Sequence, residues 1–209
     1  METMNHFLTS YQPLVASKEG RRAIEAYDLP PYVDYSCRRE PDFESRYPSI
    51  TAICRASKFA PRLREGDIAV YITKKGMYPG HPESHWRVTA ALKVIRRFAS
   101  HRDAAEWYER QGVALPSNCV VRENPPLDLD HTGGRPRNFR TDAQWDGAYR
   151  KRVRENPMLL ACDALHLELD APPVLTSECM LATFGKVPGT QTPPRITRSQ
   201  YLALADRFS

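Results

Sequence analysis

The chain has 209 residues, 41% of them hydrophobic and 26% charged, with a formal net charge of +5. That is the composition of a soluble globular protein long enough to bury a core, and residues 1–209 are read as a single domain. No apolar run approaches the roughly eighteen residues that a membrane span needs. The segment Met1–Leu8 carries Glu2 and lacks the apolar centre of a secretory leader. Five cysteines, at positions 37, 54, 119, 162 and 179, form no close pair and leave an odd one over. The expectation is a cytoplasmic protein without membrane contact and without a disulfide framework.

Of the 30 basic residues, 23 are arginine, whose planar fork pairs with phosphate or carboxylate and stacks on flat rings. Residues 38–64 carry a local charge of +4, residues 135–154 carry +5, and residues 155–185 carry −5. Two basic blocks and one acidic block predict a polarised surface. Solvated faces with local salt bridges are the plain alternative for each block.

In chain order, Ser17–Tyr27 is predicted as a helix capped by Ser17 and ended by Pro30-Pro31. Tyr32–Cys37 alternates with a period of two and is predicted as a strand with Asp34 on its polar face. Residues 49–60 are ambiguous between helix and strand. Glu65-Gly66-Asp67 is a turn, followed by a strand over Ile68–Thr73. Trp86–Phe98 is the longest alternating run. It is predicted as a strand buried on one face, with Trp86, Val88, Ala90, Leu92 and Val94 pointing together. Ser100 caps a helix to Arg110, and a Pro-, Gly- and Arg-rich loop covers residues 115–141. Thr141 or Asp142 opens a helix that turns Trp145, Tyr149 and Val153 to one side. Met158–Leu169 is a strand, and Thr197 with Gln200 forms the capping box of a closing helix. Strands and helices do not alternate strictly, so the fold class is α+β.

The run from Gly66-Asp67 through Ile68–Gly76, continued by Trp86–Phe98, resembles the small barrels of the PUA- and EVE-like families. The run Cys37–Glu44 with Pro48-Ser49-Ile50 looks like the nucleotide-modification-associated domains related to them. The resemblance covers residues 66–98, and more loosely 34–112. It implies a mixed β-barrel flanked by helices that grips DNA or RNA and seats one base, modified or not, in a pocket. A seated base needs flat partners and polar groups on its hydrogen-bonding edge. Under that resemblance Tyr71, Tyr78 and Trp86 are the aromatic candidates, and Asp34, Ser36, Ser49 and Thr73 the polar ones. Arg38, Arg39, Arg55, Lys58 and Arg62 are the nearby phosphate ligands, with Arg135, Arg137 and Arg140 as a second group.

Other constellations imply no metal and no cofactor. His81 and His85 are four apart but flanked by Gly80 and Pro82, which favours a loop over a zinc helix. Gly133-Gly134 is too short to cradle phosphate. Glu40, Asp42 and Glu44 beside Arg38 and Arg39 are read first as ion pairs. Two rival functions stay open beside the nucleic-acid-binding module. One is an enzyme acting on a nucleotide or base through the 38–44 segment with Cys54 or Lys58. The other is an interaction domain pairing its charged blocks across a homodimer.

Overall fold

A computed structural model of the protein describes residues 4–208. Its architecture is mixed α+β, built on one seven-stranded sheet. The strands are β1 (His6–Tyr11), β2 (Ser49–Thr51), β3 (Ile68–Thr73), β4 (Trp86–Phe98), β5 (Leu159–Leu167), β6 (Val174–Leu175) and β7 (Arg195–Ile196). They lie in the order β2-β5-β4-β3-β1-β7, with β6 pairing onto the start of β4. The β1–β3 pair is parallel and the other ladders are antiparallel. The sheet is open, with β2 and β7 at its two ends, rather than closed into the expected barrel.

Among the described residues five α-helices dress the sheet: α1 (Lys18–Tyr27), α2 (His101–Arg110), α3 (Asp142–Glu155), α4 (Ser177–Phe184) and α5 (Arg198–Ala205). Each starts where a side-chain oxygen satisfies an orphan amide, from Ser17, Ser100, Thr141, Thr176 and Thr197 respectively. The Thr197–Gln200 capping box is complete. Helix α1 ends at Tyr27 with Asp28 in the left-handed region, ahead of the two prolines. Within α1, Gly20 is required by close approach, because a Cβ there would meet the Leu14 carbonyl oxygen at 1.9 Å.

One core, containing Phe7, Tyr11, Ile50, Phe59, Tyr71, Leu92 and Leu160, fills the face covered by residues 43–63. A second, containing Leu8, Val70, Trp86, Val88 and Met180, lies on the opposite face under α4 and α5. Strand β4 is therefore buried on both faces along its first half, where a single buried face was expected.

The division of β4 between these cores corrects its expected side-chain pattern. Tyr71 pairs with Ala90 but Ile72 pairs with Val88, so Thr89 is the extra residue of a β-bulge. Alternation slips by one there. Ala90, Leu92 and Val94 join the first core while Trp86 and Val88 turn to the second. The predicted strand over Tyr32–Cys37 is also absent: the segment is a run of turns, with a single bridge from Asp34 to Pro13. Its alternation comes from packing in a crossing loop, where Tyr32, Val33 and Asp34 are all buried. The ambiguous residues resolve into both states: β2, then two short 3-10 turns at Ala56–Lys58 and Ala60–Arg62.

Candidate functional site

A cavity of about 660 Å³ opens at the carboxyl end of β1. That is within the range of small-molecule sites. Strands β1 and β3 contribute Thr9, Ser10, Tyr11 and Tyr71, while β2 contributes Thr51. The crossing loop adds Asp34, Tyr35 and Glu40, and the following turn adds Cys54, Arg55, Ala56 and Lys58. Lys74, just past β3, and Thr190-Gln191 complete the wall. Residues from both flanks of the sheet thus meet over one face.

Two carboxyl groups lie at its base, Asp34 4% and Glu40 9% exposed. Asp34 Oδ1 accepts hydrogen bonds from Ser36 N at 2.9 Å and Ser36 Oγ at 2.6 Å. Burial raises the Asp34 pKa, against the opposing pull of Ser36 and the Arg39 charge. Glu40 Oε1 accepts from Thr51 N at 2.9 Å, and Oε2 accepts from the Thr51 hydroxyl and from Asn118 Nδ2 at 3.3 Å. Burial, assisted by the Asp34 charge, nevertheless pushes Glu40 up to about 8. At neutral pH the Glu40 carboxyl is therefore mostly protonated.

Tyr11 and Tyr71 form the floor, their ring centroids 6.2 Å apart and edge to face. Both rings also pack edge-on against Phe43, so they offer edges more than open faces. Tyr35 is only half-buried and supplies a more accessible wall. The Thr9 hydroxyl is buried with no hydrogen-bond partner, which is costly in a dry site and marks capacity for a bound polar group. Ala56 has a φ of 46°, a left-handed conformation uncommon for a side chain with a Cβ.

The cations divide into two groups. Arg55 is spent on the backbone, donating to Thr190 O at 2.6 Å, to Gln191 O at 3.2 Å and to Ser10 O. Arg62 donates to Lys58 O at 3.0 Å and Pro193 O at 2.9 Å. These two arginines bolt the segment 190–193 to the cavity wall. Lys58 and Lys74 are exposed at the rim, and their ammonium groups make no hydrogen bond or ion pair among the described residues.

Of the expected base-pocket residues, Asp34 and Tyr71 line the cavity, and Ser36 supports Asp34 from behind. Ser49, Thr73 and Trp86 do not line it. Ser49 donates to Asn118 Oδ1 at 2.6 Å, Thr73 Oγ1 accepts from Arg87 N at 2.9 Å, and Trp86 lies in the opposite core under the Lys75 ammonium. Tyr78 is also away from it, donating to Lys74 O at 2.6 Å.

Arg38 and Arg39 are buried connectors rather than surface phosphate ligands. Arg38 pairs with Asp146 at 2.8 Å and with the carbonyls of Ser117 and Asn124. Arg39 pairs with Glu44 at 2.9 Å and donates to the carbonyls of Asp34 and His131, fixing the backbone beneath Asp34. Arg135 is tied to Asp142 and to Phe139 O, while Arg137 and Arg140 are exposed. The His81–His85 pair offers no free ligand set, since His85 Nε2 accepts from Arg87 Nε at 3.0 Å.

Sequence reasoning missed Thr9 and Tyr11, because β1 was not read as a strand. It also missed Thr51 and Lys74 as cavity residues, and set Glu40 aside as an ion-pair partner. No family model, curated protein or solved structure matches the chain.

Proposed function

We propose that the cavity seats a nucleobase or nucleotide, with the base inward and its phosphate at the rim. The observation that carries this reading is the meeting of buried polar groups with spare bonding capacity under a cationic mouth. Asp34 can accept from a base amino or imino group, and the unpartnered Thr9 hydroxyl can bond a further edge atom. Tyr35 supplies a flat wall, and Lys58 with Lys74 supplies charge for a phosphate. The resemblance of residues 66–98 to PUA- and EVE-like domains points the same way, and we propose a distant relation to them in a fold whose sheet has not closed.

A second reading, an enzyme acting on the base, has one specific observation in its favour. Asp34, Glu40, Cys54 and Lys58 border a single cavity, as acid–base chemistry needs. Cys54 is exposed at the cavity wall, yet desolvation by the surrounding protein and the neighbouring Asp34 charge raise its thiol pKa, which makes it a poor nucleophile there. A protonated Glu40 is the better candidate for a proton donor.

Calorimetric titration with the common nucleoside monophosphates tests the proposal. Binding of at least one is expected, and Asp34→Asn should change the order of preference by about tenfold, since it turns an acceptor into a group that also donates. Absence of binding by every nucleotide at low salt would remove the proposal. Turnover of the bound nucleotide, lost in Glu40→Gln, would establish the second reading.

A further inference from the structure

A second hollow of about 500 Å³ lies at the opposite end of β1, lined by Met4, Asn5, His6, Arg195, Ile196 and Arg198. From His6 to Tyr11 the strand covers about 17 Å at its usual rise. The polar character of this hollow is basic. Arg195 and Arg198 are exposed, and Arg198 begins α5, where the first backbone amides and the helix dipole favour negative charge. His6 is 4% exposed, and its Nε2 is buried with no hydrogen-bond partner. The nearby Arg198 charge is felt at the imidazole. Asp67, the neighbouring carboxylate, is already engaged: Oδ1 accepts from Asn5 N at 2.8 Å and Asn5 Nδ2 at 3.0 Å, and Oδ2 accepts from Arg64 N at 2.9 Å.

The two hollows are joined along one edge of the sheet. Segment 190–196 follows β1 in reverse: Ser10 Oγ bonds Thr190 Oγ1 at 2.6 Å, Leu8 N donates to Pro194 O at 3.1 Å, and Phe7 and His6 pair with Arg195 and Ile196. On this edge the guanidinium groups of Arg62 and Arg195 both lie over the Phe7 ring, at 5.2 and 5.6 Å from its centroid. Lys58, Arg195 and Arg198, with the carbonyl-bonded Arg62 between them, therefore set positive charge along this edge from the mouth of the cavity to the second hollow.

We propose that the second hollow is a phosphate site, and that the ligand is a single strand of nucleic acid whose backbone follows this edge. The proposal rests on the reading that a base of that strand occupies the main cavity. It deepens that reading by assigning a polymer rather than a free nucleotide as the natural partner. A duplex would need its base extruded first, at a cost in unstacking, whereas an unpaired strand offers base and backbone together.

The test compares a mononucleotide with DNA and RNA oligonucleotides of two to six residues, titrated into the wild type, Arg195→Gln/Arg198→Gln and Asp34→Asn. Affinity in the wild type should rise at least tenfold from mononucleotide to hexanucleotide. The double variant should cancel most of that gain, and the slope of log K against log salt for the hexanucleotide should shrink by about one unit. Its mononucleotide affinity should stay within twofold of the wild type. Arg198→Gln alone, at an exposed position, carries the test if the double variant is unstable. Wild-type hexanucleotide affinity and salt slope in a folded variant would overturn the phosphate site and leave the cavity reading standing. Oligonucleotide binding that depends on Arg195 and Arg198 but ignores Asp34→Asn would support the phosphate site and remove the base from the cavity.

Discussion

Replacing Arg38 with methionine should lower the stability of the protein by about 3–5 kcal/mol, the usual cost of breaking a buried pair by removing one partner. Arg38 is fully buried and donates to three acceptors: Asp146 on α3 and the carbonyls of Ser117 and Asn124 in the long loop. Without it, both carbonyls lose their donor, and Asp146 keeps only the half-exposed Arg150, at 2.6 Å. Lysine should not rescue, because a single ammonium on a flexible stem cannot reproduce the fork that reaches all three acceptors. Removing both charges in Arg38→Met/Asp146→Leu should recover part of the loss, since no buried carboxylate is then left behind. Thermal and urea unfolding measure the effect, with an expected fall in Tm of roughly 6–20 °C for a chain of this size. An Arg38→Met protein with wild-type stability and weakened nucleic-acid binding would return Arg38 to the phosphate-ligand role its sequence neighbourhood suggested.

Arg38 also illustrates how far the sequence could be read. The helices were legible because their signals are local. Ser17, Ser100, Thr141 and Thr197 cap where expected, and Trp145 and Tyr149 face the core as their spacing demands. Strands β3 and β4 were legible from β-forming residues and alternation. Strand β1 was not: His6–Tyr11 is buried along its entire length, so it carries no polar-and-apolar alternation to detect. Trp86 was misassigned for a subtler reason. Extrapolating a period of two across Thr89 fails because the bulge is a property of the pairing with β3, invisible in the residues of β4 alone. Charge was the least legible quantity. Residues 38–64 are basic in sequence, but Arg38, Arg39, Arg55 and Arg62 serve backbone carbonyls and carboxylates of the fold, leaving Lys58 as the cation of the expected group without a partner among the described residues.

Glu40 gives the second large effect, and its sign follows from linkage. Its folded pKa, near 8, is above the unfolded value near 4.5. The folded state therefore binds the extra proton, and the stability associated with it is full below about 4.5 and declines as pH rises toward 8. Four histidines act in the opposite direction. His6, His85, His101 and His166 are all lowered by burial, so their contribution is present above 6.5 and lost as pH falls. The buried cysteines are raised, Cys37 and Cys119 to about 12, and contribute only where unfolded thiols begin to ionise, near 9. Between pH 6.5 and 8 two opposing effects remain: the folded Glu40 carboxyl loses its proton, while the unfolded histidines, with an ordinary pKa of 6.5, finish losing theirs. The Glu40 contribution to stability should fall by roughly 1.5 kcal/mol across that interval, at up to about 1.4 kcal/mol per pH unit, and it is read as the difference in pH slope between the wild type and Glu40→Gln. The matching difference in Tm between the two profiles is roughly 3–6 °C. Glu40→Gln should remove this contribution and leave that of the histidines, because the amide carries no proton to lose. Its carbonyl can still accept from Thr51 N, but its NH₂ meets the Asn118 NH₂ that donated to the carboxyl. The variant should therefore start less stable at pH 6.5 and, with the histidine contribution left, gain stability toward pH 8. Urea unfolding at the two pH values decides it: a wild-type slope retained in a folded Glu40→Gln protein would show that the proton is held elsewhere.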